Sequence, residues 1–176
     1  MIVPKIIYQT SPRWFVVTKP RGWILTDRTG SPSLSCIERF LRPSLGEKVD
    51  LYFPFDLDSR ISGLGIGCMD RGMQSQFEKF KRRSEIEFKY RLHARDPLPT
   101  NHSDSFRMEV VRQTSGSAIE IDITTCGTLT VRKLETFFQG GVVDFNIHLY
   151  HLRFPDPFKP NDSEVSIHVP PIPASQ

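Results

Sequence analysis

Apolar residues that alternate with polar ones predict a series of short β-strands along the chain. The alternation is strictest in residues 85–93, where Ile86, Phe88 and Tyr90 share one face and charged side chains occupy the other. The predicted strands are residues 5–9, 14–18, 64–69, 85–93, 106–112, 118–124, 142–144, 148–154 and 165–169. Several of them are separated only by short turns, which favours antiparallel pairing.

Helical spacing of apolar residues occurs in fewer places. One such stretch follows Asp70, a residue type that caps the N-termini of helices. Two further helices are predicted at residues 33–41, ending before Pro43, and at residues 131–139, ending before a pair of glycines. Because strands outnumber helices, the sequence predicts an α+β fold with a mainly antiparallel mixed sheet and flanking helices.

The length and composition indicate one domain. A chain of 176 residues with 38% hydrophobic residues can bury one core, and no repeat or linker divides it, so we expect a single domain over residues 1–176. No run of about eighteen apolar residues is present, and the N-terminus lacks the apolar core of a secretion signal. We therefore expect a soluble intracellular protein without a membrane partner.

The cysteines and histidines do not form a recognisable metal or disulfide pattern. Cys36, Cys68 and Cys126 are far apart in the sequence, unlike the ligands of a zinc site. His148 and His151 would face opposite sides of a strand, and no nearby cysteine or carboxylate completes a ligand set. We predict neither a metal site nor a disulfide framework.

The net charge of +3 is mildly basic and permits a nucleic-acid partner without requiring one. Basic residues are concentrated between residues 79 and 95, where aromatic side chains are interleaved with them. They are Lys79, Lys81, Arg82, Arg83, Lys89, Arg91 and Arg95. Taken alone, this cluster is equally consistent with an RNA-binding surface and with a solvated charged face.

Two closely spaced carboxylates, Asp56 and Asp58, precede a Ser-Gly-apolar segment. A shared metal ion is a weak interpretation, because alternate residues of an extended segment point to opposite sides. Hydrogen bonding of the turn backbone is the more common role of such aspartates. The third interpretation is catalysis, and it depends on the surrounding residues.

Four separated motifs resemble those of the RluA-like pseudouridine synthases. Residues 58–64, Asp-Ser-Arg-Ile-Ser-Gly-Leu, are similar to the family signature His-Arg-Leu-Asp-x-x-Thr-Ser-Gly-Leu, and residues 87–92 follow at the position of its Lys-x-Tyr-x-Ala segment. Residues 15–22 resemble the opening strand with its Lys-Pro-x-Gly turn, and residues 147–157 resemble the late Leu-His-Ala-x-x-Leu-x-Phe segment. The resemblance covers nearly the whole chain in the family's order.

This resemblance implies a pseudouridine synthase fold with a central active-site cleft, and isomerisation of uridine to pseudouridine in RNA without a cofactor or metal. Asp58 would be the catalytic carboxylate, and Tyr90 would stack on the flipped base and assist proton transfer. The basic residue that pairs with the aspartate would be Arg132, or Lys133 if the segment is aligned without a gap.

The resemblance also implies where RNA binds and which RNA is the substrate. The expected substrate is a single-stranded or loop uridine in ribosomal or transfer RNA. The residues expected to contact RNA are Arg60, Lys19, Lys81, Arg82, Arg83, Lys89 and Lys133. Because no separate S4-like RNA-binding domain fits, target choice would come from this domain or from ribosomal or assembly-factor proteins. The mitochondrial matrix and the cytoplasm both remain open as locations.

The departures from the family pattern support an alternative function. Phe55 stands where the family has His, and Asp56 stands where an Arg commonly fills the space of the flipped base. An acid at that position repels RNA phosphate, unless Arg60 supplies the missing cation. The alternative is a catalytically degenerate homologue that binds RNA or acts in ribosome assembly. A metal-dependent or glycosyl-transfer enzyme using Asp56 and Asp58 explains none of the other motifs.

Overall fold

In the computed structural model, one long mixed sheet organises the chain. The structure describes residues 3–27, 35–46, 48–95, 104–113, 118–138 and 146–170. The strands are β1 (Lys5–Ser11), β2 (Trp14–Lys19), β3 (Trp23–Ile24), β4 (Ser35–Cys36), β5 (Ile61–Cys68), β6 (Glu87–Arg95), β7 (Arg107–Gln113), β8 (Ala118–Thr125), β9 (Asn146–Pro155) and β10 (Glu164–His168). The helices are α1 (Ile37–Leu45), α2 (Arg71–Arg82) and α3 (Val131–Phe137).

The main sheet has the strand order β1-β2-β5-β9-β6-β8-β7, and β10 pairs with β9 beside this path. Its neighbours are antiparallel except for β5 and β9, which are parallel. The predicted α+β class with a mainly antiparallel mixed sheet is confirmed. Within the described ranges, no helix combines the length and apolar character needed to cross a membrane.

Strand β5 is the buried strand that joins the two halves of the sheet. All its residues are buried, as expected for an uninterrupted apolar run. It pairs with β2 along six residues but with β9 along only three, from Ile61 to Gly63. The turn that carries Asp58 leads directly into Ile61, so that turn is anchored at the centre of the sheet.

Helix α2 begins as the sequence predicts. The Asp70 side chain accepts a hydrogen bond from the Met73 amide at 2.8 Å. Arg13 binds the same carboxylate with two contacts, at 2.7 and 2.9 Å, and this is the main reason why the pKa of Asp70 falls to about 2. The predicted apolar face of the helix, including Phe77 and Phe80, is buried.

Some boundaries differ from the predicted ones. Helix α1 continues through Pro43 to Leu45, because a proline near the end of a helix removes only one backbone hydrogen bond. Gly46 caps the C-terminus of the helix. It has a positive φ of 103°, and its N–H donates a hydrogen bond to the Arg42 carbonyl that closes the last turn. The strand predicted at residues 142–144 lies outside the described residues.

An aromatic cluster fixes the segment that precedes Asp58. Phe55 is 6% exposed, and its ring makes edge contacts with Phe77 of α2 and Phe88 of β6 at centroid distances of 6.4 and 5.6 Å. Phe77 in turn contacts Trp14 and Phe154. Phe55 is therefore a packing residue that holds the segment against the core.

His148 of β9 is a half-buried histidine beside the β5–β9 junction, and its partial desolvation makes stability depend on pH. Its Nδ1 lies 2.8 Å from the Ser62 hydroxyl, and desolvation lowers its pKa to about 4. The unfolded chain, with a histidine pKa near 6.5, binds a proton there first as the pH falls. His148 therefore lowers the free energy of unfolding, by up to about 3 kcal/mol, as the pH falls from about 6.5 to about 4.

We expect the variant His148→Gln to lose this contribution. In urea unfolding between pH 7 and pH 4, wild type should lose more stability than the variant, by up to about 3 kcal/mol. His168→Gln, at an exposed residue of β10, is the matched control and should follow wild type. Parallel profiles of wild type and His148→Gln would contradict the assignment.

Candidate active site

Asp58 lies in a tight turn immediately before β5. Its Oδ1 atom accepts a hydrogen bond from the Arg60 amide at 3.0 Å, and its carbonyl accepts one from the Ile61 amide at 2.9 Å. Side-chain bonding of this kind is typical of aspartate in turns and fixes the carboxylate direction. The side chain is 21% exposed, so one edge of the carboxylate remains accessible to a substrate.

Arg60 is the cation beside this carboxylate. Its Nε atom lies 3.5 Å from Oδ1 of Asp58, and its terminal nitrogen lies 3.1 Å from Oε1 of Glu135 on α3. Arg60 thus bridges the Asp58 turn and helix α3. Both ends of the bridge to Glu135 are about half exposed, so the ion pair is weak and an incoming anion can compete for Arg60.

The structure does not bring Asp58 into an ion pair with Arg132 or Lys133. Among the described residues, Arg60 is the ion-pair partner of Asp58. Thr130 caps the N-terminus of α3, because its side chain accepts a hydrogen bond from the Lys133 amide at 3.2 Å. The residue at which the helix begins determines the side of the helix on which each later residue lies. Glu135 then faces Arg60, while Arg132 and Lys133 line an open cavity between α2 and α3.

Lys19 is a buried lysine under the Asp58 turn. It is 1% exposed, and its ammonium donates to the carbonyls of Trp23, Pro20 and Ser59 at 2.7, 3.4 and 3.5 Å. Desolvation lowers its pKa to about 8, opposed by the charges of Asp58 and Asp56. The predicted RNA contact of Lys19 does not fit this burial, because its donors are occupied by backbone carbonyls. It holds the residue 20–23 loop against the turn.

Tyr90 is fully buried at the centre of β6. Its hydroxyl accepts a hydrogen bond from the Leu129 amide at 3.2 Å, and desolvation raises its pKa above the usual value. A narrow cavity of about 10 Å³ adjoins Tyr90 and is also lined by Asp56, Leu57 and Thr128. This volume admits at most one water molecule, so a base can stack on Tyr90 only after residues that line the cavity, such as Thr128, move.

A much larger cleft opens on the other side of residues 128–129. We call it the α2–α3 cleft. Its volume is about 940 Å³, and its described lining residues are Lys81, Ser84, Asp104, Ser105, Phe106, Thr125, Cys126, Gly127, Thr128, Leu129, Thr130, Arg132, Lys133, Thr136 and Phe137. Thr128 lines both this cleft and the narrow cavity, and Leu129 lies between the cleft and the Tyr90 hydroxyl.

The residues predicted to contact RNA are divided between several surfaces. Lys81 and Lys133 come together in the α2–α3 cleft, although they are far apart in sequence. Arg82 and Arg83 are exposed at the end of α2. Lys89 faces away from the Tyr90 side of β6, 3.6 Å from the Glu87 carboxylate. Among the described residues, no group of three or more His, Cys, Asp and Glu side chains is arranged to hold a metal ion.

Sequence reasoning missed two residues of the site, Glu135 and Leu129. Glu135 is 75 positions from Arg60, and nothing in the local pattern of α3 marks it as a partner. Leu129 contributes its backbone amide to Tyr90, a role that any residue type could fill. Neither residue left a signal in a single sequence.

Solved structures with pseudouridine synthase descriptions resemble this chain over most of its length. Human RNA pseudouridylate synthase domain-containing 4 matches with a TM-score of 0.63 and 13% identity, covering 95% of this chain and 88% of that chain. Human RNA pseudouridylate synthase domain-containing 1 matches with a TM-score of 0.61 and 12% identity, covering 96% and 83%. A structure described as a pseudouridylate synthase matches with a TM-score of 0.60 and 14% identity, covering 88% and 70%. No protein-family model and no curated protein matches the sequence. The chain therefore has the pseudouridine synthase fold.

Proposed function

We propose that this protein is an RNA pseudouridine synthase that uses Asp58 as its catalytic carboxylate. The observation that carries the proposal is the position of this residue within the pseudouridine synthase fold. Asp58 is half-buried, directed by hydrogen bonding and placed at the entry to the central strand β5. The segment before it lines the same closed cavity as Tyr90. The substrate we propose is a uridine in ribosomal or transfer RNA.

The proposed reaction is an isomerisation that balances without a cofactor. The bond between uracil N1 and ribose C1′ breaks, the base turns, and a bond forms between C5 and C1′. The proton on C5 is lost and N1 gains one. Asp58 can serve as the nucleophile or base at the ribose or base of the target, because its accessible edge is negatively charged and fixed in direction.

Access to Tyr90 requires energy from RNA binding. The target base must leave its stack, and unstacking costs a few kcal/mol, which is least in single-stranded RNA. Stacking on an aromatic ring returns about 1–3 kcal/mol per base. The Leu129 amide gives up a single hydrogen bond to Tyr90 when the 128–129 segment moves. One base stacked on Tyr90 therefore offsets only part of the combined cost of unstacking and opening, and contacts to the flanking RNA supply the rest.

A second candidate function is RNA binding without catalysis, for instance in ribosome assembly. The specific observation in its favour is the closed state of the cavity beside Tyr90, whose volume is only about 10 Å³. Asp56 adds to it, because its exposed carboxylate lies where the RluA-like pattern has an arginine. In this function the fold would supply a surface, and Asp58 would only shape the turn before β5.

Chemical mapping of pseudouridine separates the two functions. Ribosomal and transfer RNA transcripts are incubated with the purified protein, treated with a carbodiimide that marks pseudouridine, and read by reverse transcription. We expect new marks at one or a few uridines. If the protein binds the RNA but no uridine acquires a new mark, the enzyme proposal is wrong and the binding function takes its place.

A further inference from the structure

The floor of the α2–α3 cleft is aromatic and apolar. Phe106 precedes β7 and Phe137 ends α3, and their rings meet edge to face with centroids 4.9 Å apart. Both side chains are only partly buried and both line the cleft, as does Leu129. Ring faces at the base of an open cleft suit a flat, partly apolar ligand such as a nucleobase.

The cleft also carries uncompensated positive charge. Lys81, Arg132 and Lys133 line it, and none of them forms an ion pair with a carboxylate of the described residues. The Lys133 ammonium has only a long contact, 3.5 Å, to the Thr128 carbonyl. Cations that lack a carboxylate partner can bind the phosphate of a nucleotide, and the aromatic floor beside them can stack on its base.

Asp104 is the acidic residue among the described residues that line the cleft. Its carboxylate would repel a phosphate, but it can accept a hydrogen bond from the amino group of a base. Adenine, cytosine and guanine carry such a group and uracil does not. The lining therefore favours a base other than uracil, with its phosphate directed toward the cations.

The cleft is adjacent to the Asp58 site but separate from it. Successive residues of a helix are about 100° apart around the axis, since a turn holds about 3.6 residues. Glu135 projects toward Arg60, whereas Arg132, Lys133 and Thr136 line the cleft. Residues 128–129 form the wall between the cleft and the cavity of Tyr90.

We propose that the α2–α3 cleft binds a nucleotide that neighbours the target uridine in single-stranded RNA, and that this base carries an amino group. The base packs on Phe106 and Phe137, the amino group bonds to Asp104, and the phosphates contact Lys81, Arg132 and Lys133. This inference rests on the proposed function for its RNA partner. It adds a subsite that selects the sequence context of the uridine.

Binding of short oligonucleotides tests the subsite. Fluorescence anisotropy is measured with decamers of uridine and with decamers that contain one adenosine, cytidine or guanosine. We expect the substituted decamers to bind more tightly than oligouridine, and Asp104→Ala, which removes the acceptor, to abolish this preference. Phe106→Leu should weaken binding of the substituted decamers by about 5- to 150-fold, the loss of one stacked base. Phe40→Leu, at an exposed phenylalanine of α1, is the matched control and should bind as wild type.

The salt dependence of binding gives a second test. It uses a variant of an exposed residue, so the result does not depend on whether a variant with a changed core still folds. Lys133→Gln should weaken binding and lower the slope of log K against log salt by about 0.7, the value for one phosphate of a single strand. Lys159→Gln, in the exposed loop after β9, should leave the slope unchanged. Loss of slope without any dependence on Phe106 or on base identity would indicate a phosphate site only and overturn the inference.

The subsite and the proposed function can fail separately. If wild type forms pseudouridine while Phe106→Leu and Lys133→Gln bind RNA as wild type does, the subsite is wrong and the enzyme assignment stands. If RNA binding shows the expected base and salt dependence but no pseudouridine forms, the subsite stands and the catalytic assignment is wrong. Wild-type protein that binds none of the decamers overturns the subsite.

Discussion

Replacing Asp58 by asparagine is expected to abolish pseudouridine formation while leaving RNA affinity nearly unchanged. Asparagine keeps the size of the side chain, and its oxygen can still accept the hydrogen bond from the Arg60 amide. It cannot act as a nucleophile or base at neutral pH. Loss of a group that performs the chemistry costs about 10⁴-fold or more in rate. Single-turnover assays with carbodiimide mapping measure the rate, and filter binding measures the affinity.

Asp56→Asn is the matched control, two residues away in the same segment. Asp56 is exposed, and its carboxylate accepts only the amide of its own neighbour Leu57, at 3.0 Å, among the described contacts. We expect full activity and somewhat tighter RNA binding, because a charge that repels phosphate is removed. If Asp58→Asn retained the wild-type rate, Asp58 would not be the catalytic carboxylate.

The elements of the fold were predictable where local pattern and burial agree. The alternation in β6 and the Asp70 cap of α2 are signals within a few residues, and both elements lie where they were predicted. Strands β3 and β4 were missed, because their two-residue parallel pairing between Trp23 and Ser35 arises from tertiary contacts. Pro43 was a misleading stop signal, since Gly46 three residues later ends the helix.

The site was less predictable, because its contacts join distant parts of the chain. The sequence resemblance predicted Asp58 as the catalytic carboxylate, but the bridge from Arg60 to Glu135 depends on how α3 packs against the turn. Lys19 was predicted to contact RNA, a role that requires an exposed ammonium group, and lysine is costly to bury. Three backbone carbonyls from two loops take the place of the water molecules that would otherwise solvate its ammonium group. No local sequence pattern encodes that arrangement. Alternation in β6 did place Tyr90 with the core residues, where the structure has it.

The largest effect on stability is expected for Gly63→Ala in β5. Gly63 has a φ of 125°, and a Cβ atom there would lie 2.1 Å from the Leu149 carbonyl oxygen and 2.7 Å from the Leu149 nitrogen. These are backbone atoms of β9, so no side-chain rotation relieves the overlap. Only three residue pairs join β5 to β9, and Gly63 with Leu149 is one of them. The clash and the backbone strain together should lower the free energy of unfolding by more than about 3 kcal/mol.

Gly22→Ala separates backbone strain from the steric clash. Gly22 also has a positive φ, 84°, but a Cβ atom there would meet nothing within 4 Å. Its replacement should cost only about 1 kcal/mol, the conformational penalty for a residue with a Cβ atom. Urea unfolding followed by circular dichroism gives both values. Equal losses for the two variants would mean that β9 moves aside without cost, and that the close contact of Gly63 with Leu149 does not hold the two halves of the sheet together.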